Sequence, residues 1–151
     1  MHEWQSAEEE YVKQANALTM EREKAAIPFV EEIKKGLKDL NFLDVQFEMR
    51  FTKHARYGLG GMDDAEFYMS TNPGEALKPM GMAASGGELS RIMLVIKTIL
   101  AGQEDTPTLI FDEIDTGISG ITAGKVAEKM RFIGKSRQVL CITHLAQIAS
   151  K

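Results

Sequence analysis

The amino-acid sequence predicts an α/β fold: a mixed sheet with parallel core strands flanked by helices, preceded by a long helical segment. Three observations carry this expectation. Residues 1–40 hold helix-spaced apolar positions only, residues 43–71 alternate with a period of two, and residues 85–149 interleave amphipathic helices with short, mainly apolar strands. A chain of 151 residues is long enough for one ordinary domain and an appendage.

In the first segment, Trp4, Ala7, Tyr11 and Leu18 follow heptad-like spacing, and the stretch Thr19 to Lys24 is then almost wholly polar. A second stripe runs through Ala26, Val30, Ile33, Leu37 and Leu40, with Pro28 near its start, where a missing N–H is tolerated. The spacing predicts the end of a coiled coil over 1–24, joined to a helix that docks on a domain spanning 25–151. Two ordinary amphipathic helices of a bundle fit the same pattern.

From Leu43 the inward residues Val45, Phe47, Met49 and Phe51 alternate with Gln46, Glu48 and Arg50, as in a half-buried strand. Tyr57-Gly58-Leu59-Gly60-Gly61 reads as a flexible connection. A second strand is expected from Ala65 to Thr71, closed by the turn Asn72-Pro73-Gly74 and pairing antiparallel with the first. After Ser85, Leu89, Ile92, Met93, Ile96, Ile99 and Leu100 mark one helix, and Val126, Met130 and Ile133 mark another. Thr108 to Phe111 and Val139 to Thr143 are the intervening strands, and Leu145 to Ala149 begins a further helix. Strand, helix, strand in this order predicts a right-handed parallel crossover, with ligand-facing residues just past the carboxyl ends of the strands.

Composition narrows the functional classes. Apolar residues at 44% and charged residues at 26% are those of a globular protein. The net charge of -4 and pI near 5.4 argue against a general nucleic-acid-binding surface, so any DNA contact is local or made elsewhere. The single cysteine, Cys141, forms no internal disulfide and falls in an apolar run, which fits a reducing compartment. The N-terminus lacks a cationic region followed by an apolar stretch, and no run of about 18 apolar residues occurs, so a cytoplasmic chain with no membrane partner is expected.

Three motifs carry chemistry. Ser85-Gly86-Gly87-Glu88 opens a helix: its glycines permit close approach of a ligand, and the unpaired N–H groups of a helix start suit an anion such as phosphate. The same S-x-x-E spacing makes a capping box that needs no ligand. Phe111-Asp112-Glu113 ends a buried strand in two carboxylates, the first placed to hold a Mg²⁺ ion through water, the second to orient or deprotonate an attacking water. An acidic cap at a strand end is the plainer reading. Asp115-Thr116-Gly117-Ile118-Ser119 follows, and His144 stands directly after the next parallel strand, so both strand ends face one crevice. A lone histidine there is also an ordinary surface residue.

Together and in this order these motifs resemble the ABC ATPases, in particular their SMC-like DNA-repair branch. Ala84-Ser85-Gly86-Gly87-Glu88-Leu89-Ser90-Arg91, Phe111-Asp112-Glu113-Ile114-Asp115-Thr116-Gly117 and Ile142-Thr143-His144-Leu145-Ala146-Gln147 are similar to that branch, as is Ser70-Thr71-Asn72-Pro73-Gly74-Glu75. Ala84, where many transporters carry leucine, favours it. The resemblance runs from about Ala25 to Lys151. It implies the C-terminal part of an ABC/SMC-type P-loop ATPase head, preceded by a coiled-coil stub helix, with ATP and Mg²⁺ as ligands. It makes Glu113 and His144 catalytic, Asp112 the Mg²⁺-binding aspartate, and Asp115 part of the D-loop beside the nucleotide. Ser85, Gly86, Gly87 and Glu88 become the signature loop that meets a nucleotide held by a second head. Arg91, on the signature helix, is placed to link nucleotide state to neighbouring elements.

No G-x-x-x-x-G-K-[ST] run is present. The nearest string, Gly120-Ile121-Thr122-Ala123-Gly124-Lys125-Val126, is one residue short between its glycines and has Val126 in place of the hydroxyl, so Lys125 reads as a solvated helix residue. The resemblance therefore implies a separate N-terminal P-loop half as partner, a second head in a homodimer, DNA reached through the complete protein, and a nucleoid-associated location. Alone, the chain is expected to hydrolyse no ATP. Two other readings remain: a docking or dimerisation module whose motifs only hold its fold, and a small metal-dependent hydrolase using Asp112, Glu113, Asp115 and His144. The second lacks any H-x-x-x-H or C-x-x-C spacing.

Overall fold

The computed structural model describes residues 2–150. One helix, α1 (His2–Asp39), precedes two sheets and four further helices: β1 (Gln46–Lys53), β2 (Asp63–Ser70), β3 (Lys78–Pro79), α2 (Met80–Ala83), α3 (Gly86–Ile99), β4 (Thr108–Phe111), α4 (Gly120–Gly134), β5 (Gln138–Cys141) and α5 (Ala146–Ala149). The first sheet is antiparallel in the order β1-β2-β3, and the second is the parallel pair β4-β5.

Helix α1 runs unbroken for 38 residues, about 57 Å at 1.5 Å per residue. Pro28 lies inside it, not at the start of a second helix as the spacing suggested. An interior proline costs a helix about 3 kcal/mol. Here its ring is on the exposed side, and packing on both flanks holds the helix through it. On the C-terminal flank, Val30, Ile33, Leu37 and Leu40 enter the core. On the N-terminal flank, the polar stretch that looked like a lapse in the seam turns inward. Buried Thr19 donates to Asp63 Oδ1 at 2.6 Å, and Arg22 donates to Asp63 Oδ2 at 2.9 Å. The helix ends with Asn41 in the left-handed region (φ 69°) and the Phe42 amide on Leu37 O at 3.1 Å, the usual way of satisfying terminal carbonyls.

Strands β1 and β2 pair over their full length, from Gln46 opposite Ser70 to Lys53 opposite Asp63. The expected inward face is seen: Phe47 is buried, and Met49 and Phe51 are half-buried. The glycine-rich connection is held more firmly than its composition suggests. Tyr11 Oη accepts the Gly58 amide at 2.8 Å and donates to Gly61 O at 3.0 Å, while Tyr57 meets Tyr11 edge-on and donates to Glu8. Backbone groups left unpaired by the turn thus find partners on α1.

The centre of the core is α3, whose Ile92, Leu94, Val95 and Ile96 lie between Ile33 and Leu37 of α1, with Leu40 just past its end, and Val126, Ala127, Met130 and Ile133 of α4. Strand β4 adds Leu109 and Phe111. Close approach of α1 to α3 depends on Gly36, where an added Cβ would lie 2.6 Å from Val95 Cγ1. Gly36→Ala gains up to about 1 kcal/mol of helix propensity but overpacks the contact by about 1–3 kcal/mol. A net loss of about 1 kcal/mol is expected, read as a lower urea midpoint; a raised midpoint would mean that the helices separate freely.

Candidate nucleotide-binding site

Parallel pairing places the carboxyl ends of β4 and β5 side by side, with Phe111 opposite Cys141, and the Ile142 amide continues the ladder onto Phe111 O at 3.0 Å. Asp112 to Thr116 therefore leave the sheet beside Thr143 and His144, as the alternation of elements implied. Asp115 joins the two exits: its Oδ2 accepts Thr143 Oγ1 at 2.6 Å and the His144 amide at 2.6 Å. The Thr143 hydrogen bond, aided by the His144 amide, holds the Asp115 carboxyl below its ordinary pKa against the opposing effect of burial. From sequence Thr143 reads only as a strand end and as part of the Ile142-Thr143-His144 string, with no role of its own. The His144 side chain is exposed, and its imidazole makes no hydrogen bond among the described residues.

The start of α3 completes the cluster. Ser85 is the N-cap and its hydroxyl oxygen accepts the Glu88 amide at 3.4 Å, while Glu88 Oε2 accepts the Ser85 amide at 2.8 Å and its hydroxyl at 2.7 Å. The capping box anticipated as the ligand-free reading is thus formed. It satisfies the third helical amide, and helix geometry leaves those of Gly86 and Gly87 without intrahelical partners.

Both glycines also serve contacts within the chain. A Cβ on Gly87 would lie 2.8 Å from Glu113 O and 2.9 Å from Thr116 Cβ, and one on Gly86 would run into Glu113 Oε2. The signature-like helix start and the strand-end carboxylates are therefore in van der Waals contact.

Glu113 has a backbone φ of 56°, left-handed and sterically costly for a residue with a Cβ. Its amide donates to Asp112 Oδ1 at 2.9 Å, and its carbonyl accepts the Thr116 amide at 3.0 Å, closing a tight turn. Two α3 side chains hold this turn. Ser90 Oγ donates to Asp112 O at 2.6 Å, and one Arg91 terminal nitrogen donates to Ile114 O at 3.2 Å and Thr116 O at 2.8 Å. Arg91 is only 6% exposed, and burial draws its pKa down from the usual arginine value.

The strand-end carboxylates bear directly on the implied Mg²⁺. Asp112 is exposed and has one oxygen engaged by its neighbour's amide, so its other oxygen is available to one metal-bound water. Mg²⁺ at such sites keeps several waters and takes one or two carboxylates plus phosphate oxygens, a set Asp112 fits as one member. Among the described residues no group of three or more His, Cys, Asp and Glu side chains is arranged to hold a metal by itself. Lys125 is exposed and pairs with Glu128 at 3.3 Å, a solvated helix position as expected.

No protein-family model matches the chain. Among solved structures, the Smc head domain with an extended coiled coil from Pyrococcus furiosus superposes with a TM-score of 0.57 at 19% identity, covering 85% of this chain and 30% of that one. The Smc head domain with a coiled coil and joint from Pyrococcus yayanosii gives 0.51 at 19% identity, covering 99% of this chain and 28% of that one. The fold is that of part of an Smc-type head domain.

In sequence the chain is similar to DNA repair protein RecN. It is 46% identical to RecN of Halalkalibacterium halodurans over 138 residues, 89% of this chain and 24% of that protein. RecN of Vibrio cholerae is 42% identical over 140 residues, 92% of this chain and 25% of that protein. RecN of Bacillus subtilis is 53% identical over 90 residues, 60% of this chain and 16% of that protein. The chain is thus RecN-like along most of its length, and it spans about a quarter or less of the length of these relatives.

Proposed function

We propose that this chain supplies the signature, Walker-B, D-loop and switch elements of a RecN-like DNA-repair ATPase head. The observation that supports this best is the meeting of three elements at Asp112–Thr116: the end of β4, the end of β5 through Asp115, and the N-terminus of α3 through Gly86, Gly87, Ser90 and Arg91. In this reading Asp112 holds Mg²⁺ through water, Glu113 orients the attacking water, and His144 faces the same phosphate from the neighbouring strand end. Ser85, Gly86 and Gly87, braced by Glu88, present free amides to a nucleotide on a second head, and Asp115 orders the D-loop between the two. Phosphoryl transfer is catalysed mainly by positioning and charge stabilisation. A chain with no G-x-x-x-x-G-K-[ST] run is then inactive until a P-loop half joins it.

The sheet supports such a partner. Leu109 and Phe111 face the core, whereas Ile110 on β4 and Leu140 and Ile142 on and beyond β5 are 70%, 47% and 58% exposed, an apolar face suited to another layer. The start of α1, residues 1–24, is then the end of a returning coiled coil, and 25–151 the C-terminal lobe. DNA is engaged through the complete protein, in the cytoplasm at the nucleoid. Among the described residues no helix is long and apolar enough to cross a membrane.

The capping box and the Asp115 brace also favour a second reading, a docking module whose motifs only stabilise the lobe. ATPase assay of this chain mixed with a separately made P-loop half decides between them. Turnover is expected only in the mixture, and it should fall at least ~100-fold in Glu113→Gln, the scale on which losing a positioned catalytic group acts. A folded, associated mixture without Glu113-dependent turnover would establish the docking module instead.

A further inference from the structure

We infer that Arg91, with Ser90, is a positioning residue for Glu113: it holds the left-handed backbone of the water-orienting residue from the helix whose start faces the opposite nucleotide. The inference rests on the functional reading above for its catalytic consequence, and on geometry alone for its structural part. Three carbonyls flank Glu113 in the turn, those of Asp112, Ile114 and Thr116, and all three accept from these two adjacent side chains, at 2.6, 3.2 and 2.8 Å. A non-glycine residue at φ 56° persists only where its surroundings over-determine it, and these three bonds do so.

The chemistry of Arg91 supports a positioning role over a merely structural one. A buried cation is normally offset by a carboxylate. Arg91 forms no ion pair among the described residues and its Nε has no hydrogen-bond partner; the charge of Glu88, one turn earlier on α3, and the Phe42 ring, 5.5 Å from the guanidinium carbon, offset its burial only in part. An apolar side chain would fill such a site without the cost of desolvating a charge. What an arginine adds is a planar guanidinium that fixes the direction of both donors on the nitrogen serving the two carbonyls; a lysine ammonium carries enough donors for both, but as a rotatable point charge it does not fix their direction. Because Ser90 and Arg91 lie one turn into α3 from Gly86 and Gly87, a displacement of the helix start is carried directly to Asp112–Thr116.

The test has two arms. In the first, NMR chemical shifts and the amide-to-Hα coupling at Glu113 report its φ in this chain, for wild type, Ser90→Ala and Arg91→Lys. Wild type should show the left-handed signature, Ser90→Ala should weaken it, and Arg91→Lys should lose it while the dispersion of α4 and β1–β2 signals shows an intact fold. In the second, the mixture with the P-loop half should lose at least tenfold in kcat in Arg91→Lys, with KM for ATP changed less than twofold. Glu113→Gln added to that variant should reduce turnover by less than it does in wild type. Retention of the left-handed signature in Arg91→Lys, or a loss expressed in KM, would overturn the inference. Absence of turnover in the wild-type mixture would sink the ATPase reading and leave the NMR arm to decide the positioning claim.

Discussion

Gly87→Ala is expected to destabilise the chain by about 2–3 kcal/mol, the upper range for overpacking, whereas Gly86→Ala should change stability by less than about 0.5 kcal/mol. The two glycines are adjacent and differ in what a methyl group would meet. At Gly87 it would lie 2.8 Å from Glu113 O and 2.9 Å from Thr116 Cβ. Neither can yield: the carbonyl is held by the Thr116 amide, and Thr116 O by Arg91. At Gly86 the obstacle is the tip of the exposed Glu113 side chain, which swings away by rotating about its own bonds. Urea unfolding of both variants measures the difference. Equal, small effects would mean that the turn after β4 is softer than its hydrogen bonds imply. A Gly86→Ala variant of full stability that cannot sustain turnover with the P-loop half would assign that glycine to ligand approach or to the placement of the Glu113 carboxylate it touches.

Asp63→Ala is expected to cost about 2–3 kcal/mol at neutral pH, below the 3–5 kcal/mol for breaking a fully buried pair. The Asp63 side chain is fully buried and Arg22 about a third exposed. Removing the carboxylate leaves Arg22 without its acceptor where α1 crosses the start of β2, and leaves the Thr19 hydroxyl only the Ala15 carbonyl of its own helix, 3.0 Å away. The Asp63 carboxyl is held below its ordinary pKa, chiefly by the Thr19 hydrogen bond, with Arg22 and then His54 adding to it and desolvation opposing. A depressed folded pKa stabilises the protein above the unfolded value of ~3.9 and loses that contribution as pH falls through the folded value. The difference in urea midpoint between wild type and Asp63→Asn should therefore be largest near neutrality and narrow below about pH 4. A difference that stays constant with pH would show that the ionised carboxylate contributes nothing beyond its shape.

Much of the site was legible from local spacing because its parts are local. Alternation identified β1, the short apolar Thr108–Phe111 run matched β4 residue for residue, and S-x-x-E located the start of α3 and its capping box. Where interpretation failed, the partner lay far along the chain. Thr19 and Arg22 registered only as part of a polar stretch because Asp63, more than forty residues away, is invisible to a periodicity argument. Pro28 looked like a helix start because nothing local reveals packing on both flanks. The glycine-rich loop looked free because its acceptor and donor, Tyr11, belongs to another element.

By itself the sequence determined the α/β class, the order of elements and the residues at the strand ends, since each depends on side-chain period and turn chemistry within a few positions. Only the tertiary structure decided that α1 is continuous, that Asp115 braces β5 through Thr143, and that Ser90 and Arg91 grip a left-handed Glu113. These outcomes depend on hydrogen bonds and close contacts between elements, which arise when burial brings distant segments together and leaves their polar groups no partner but one another.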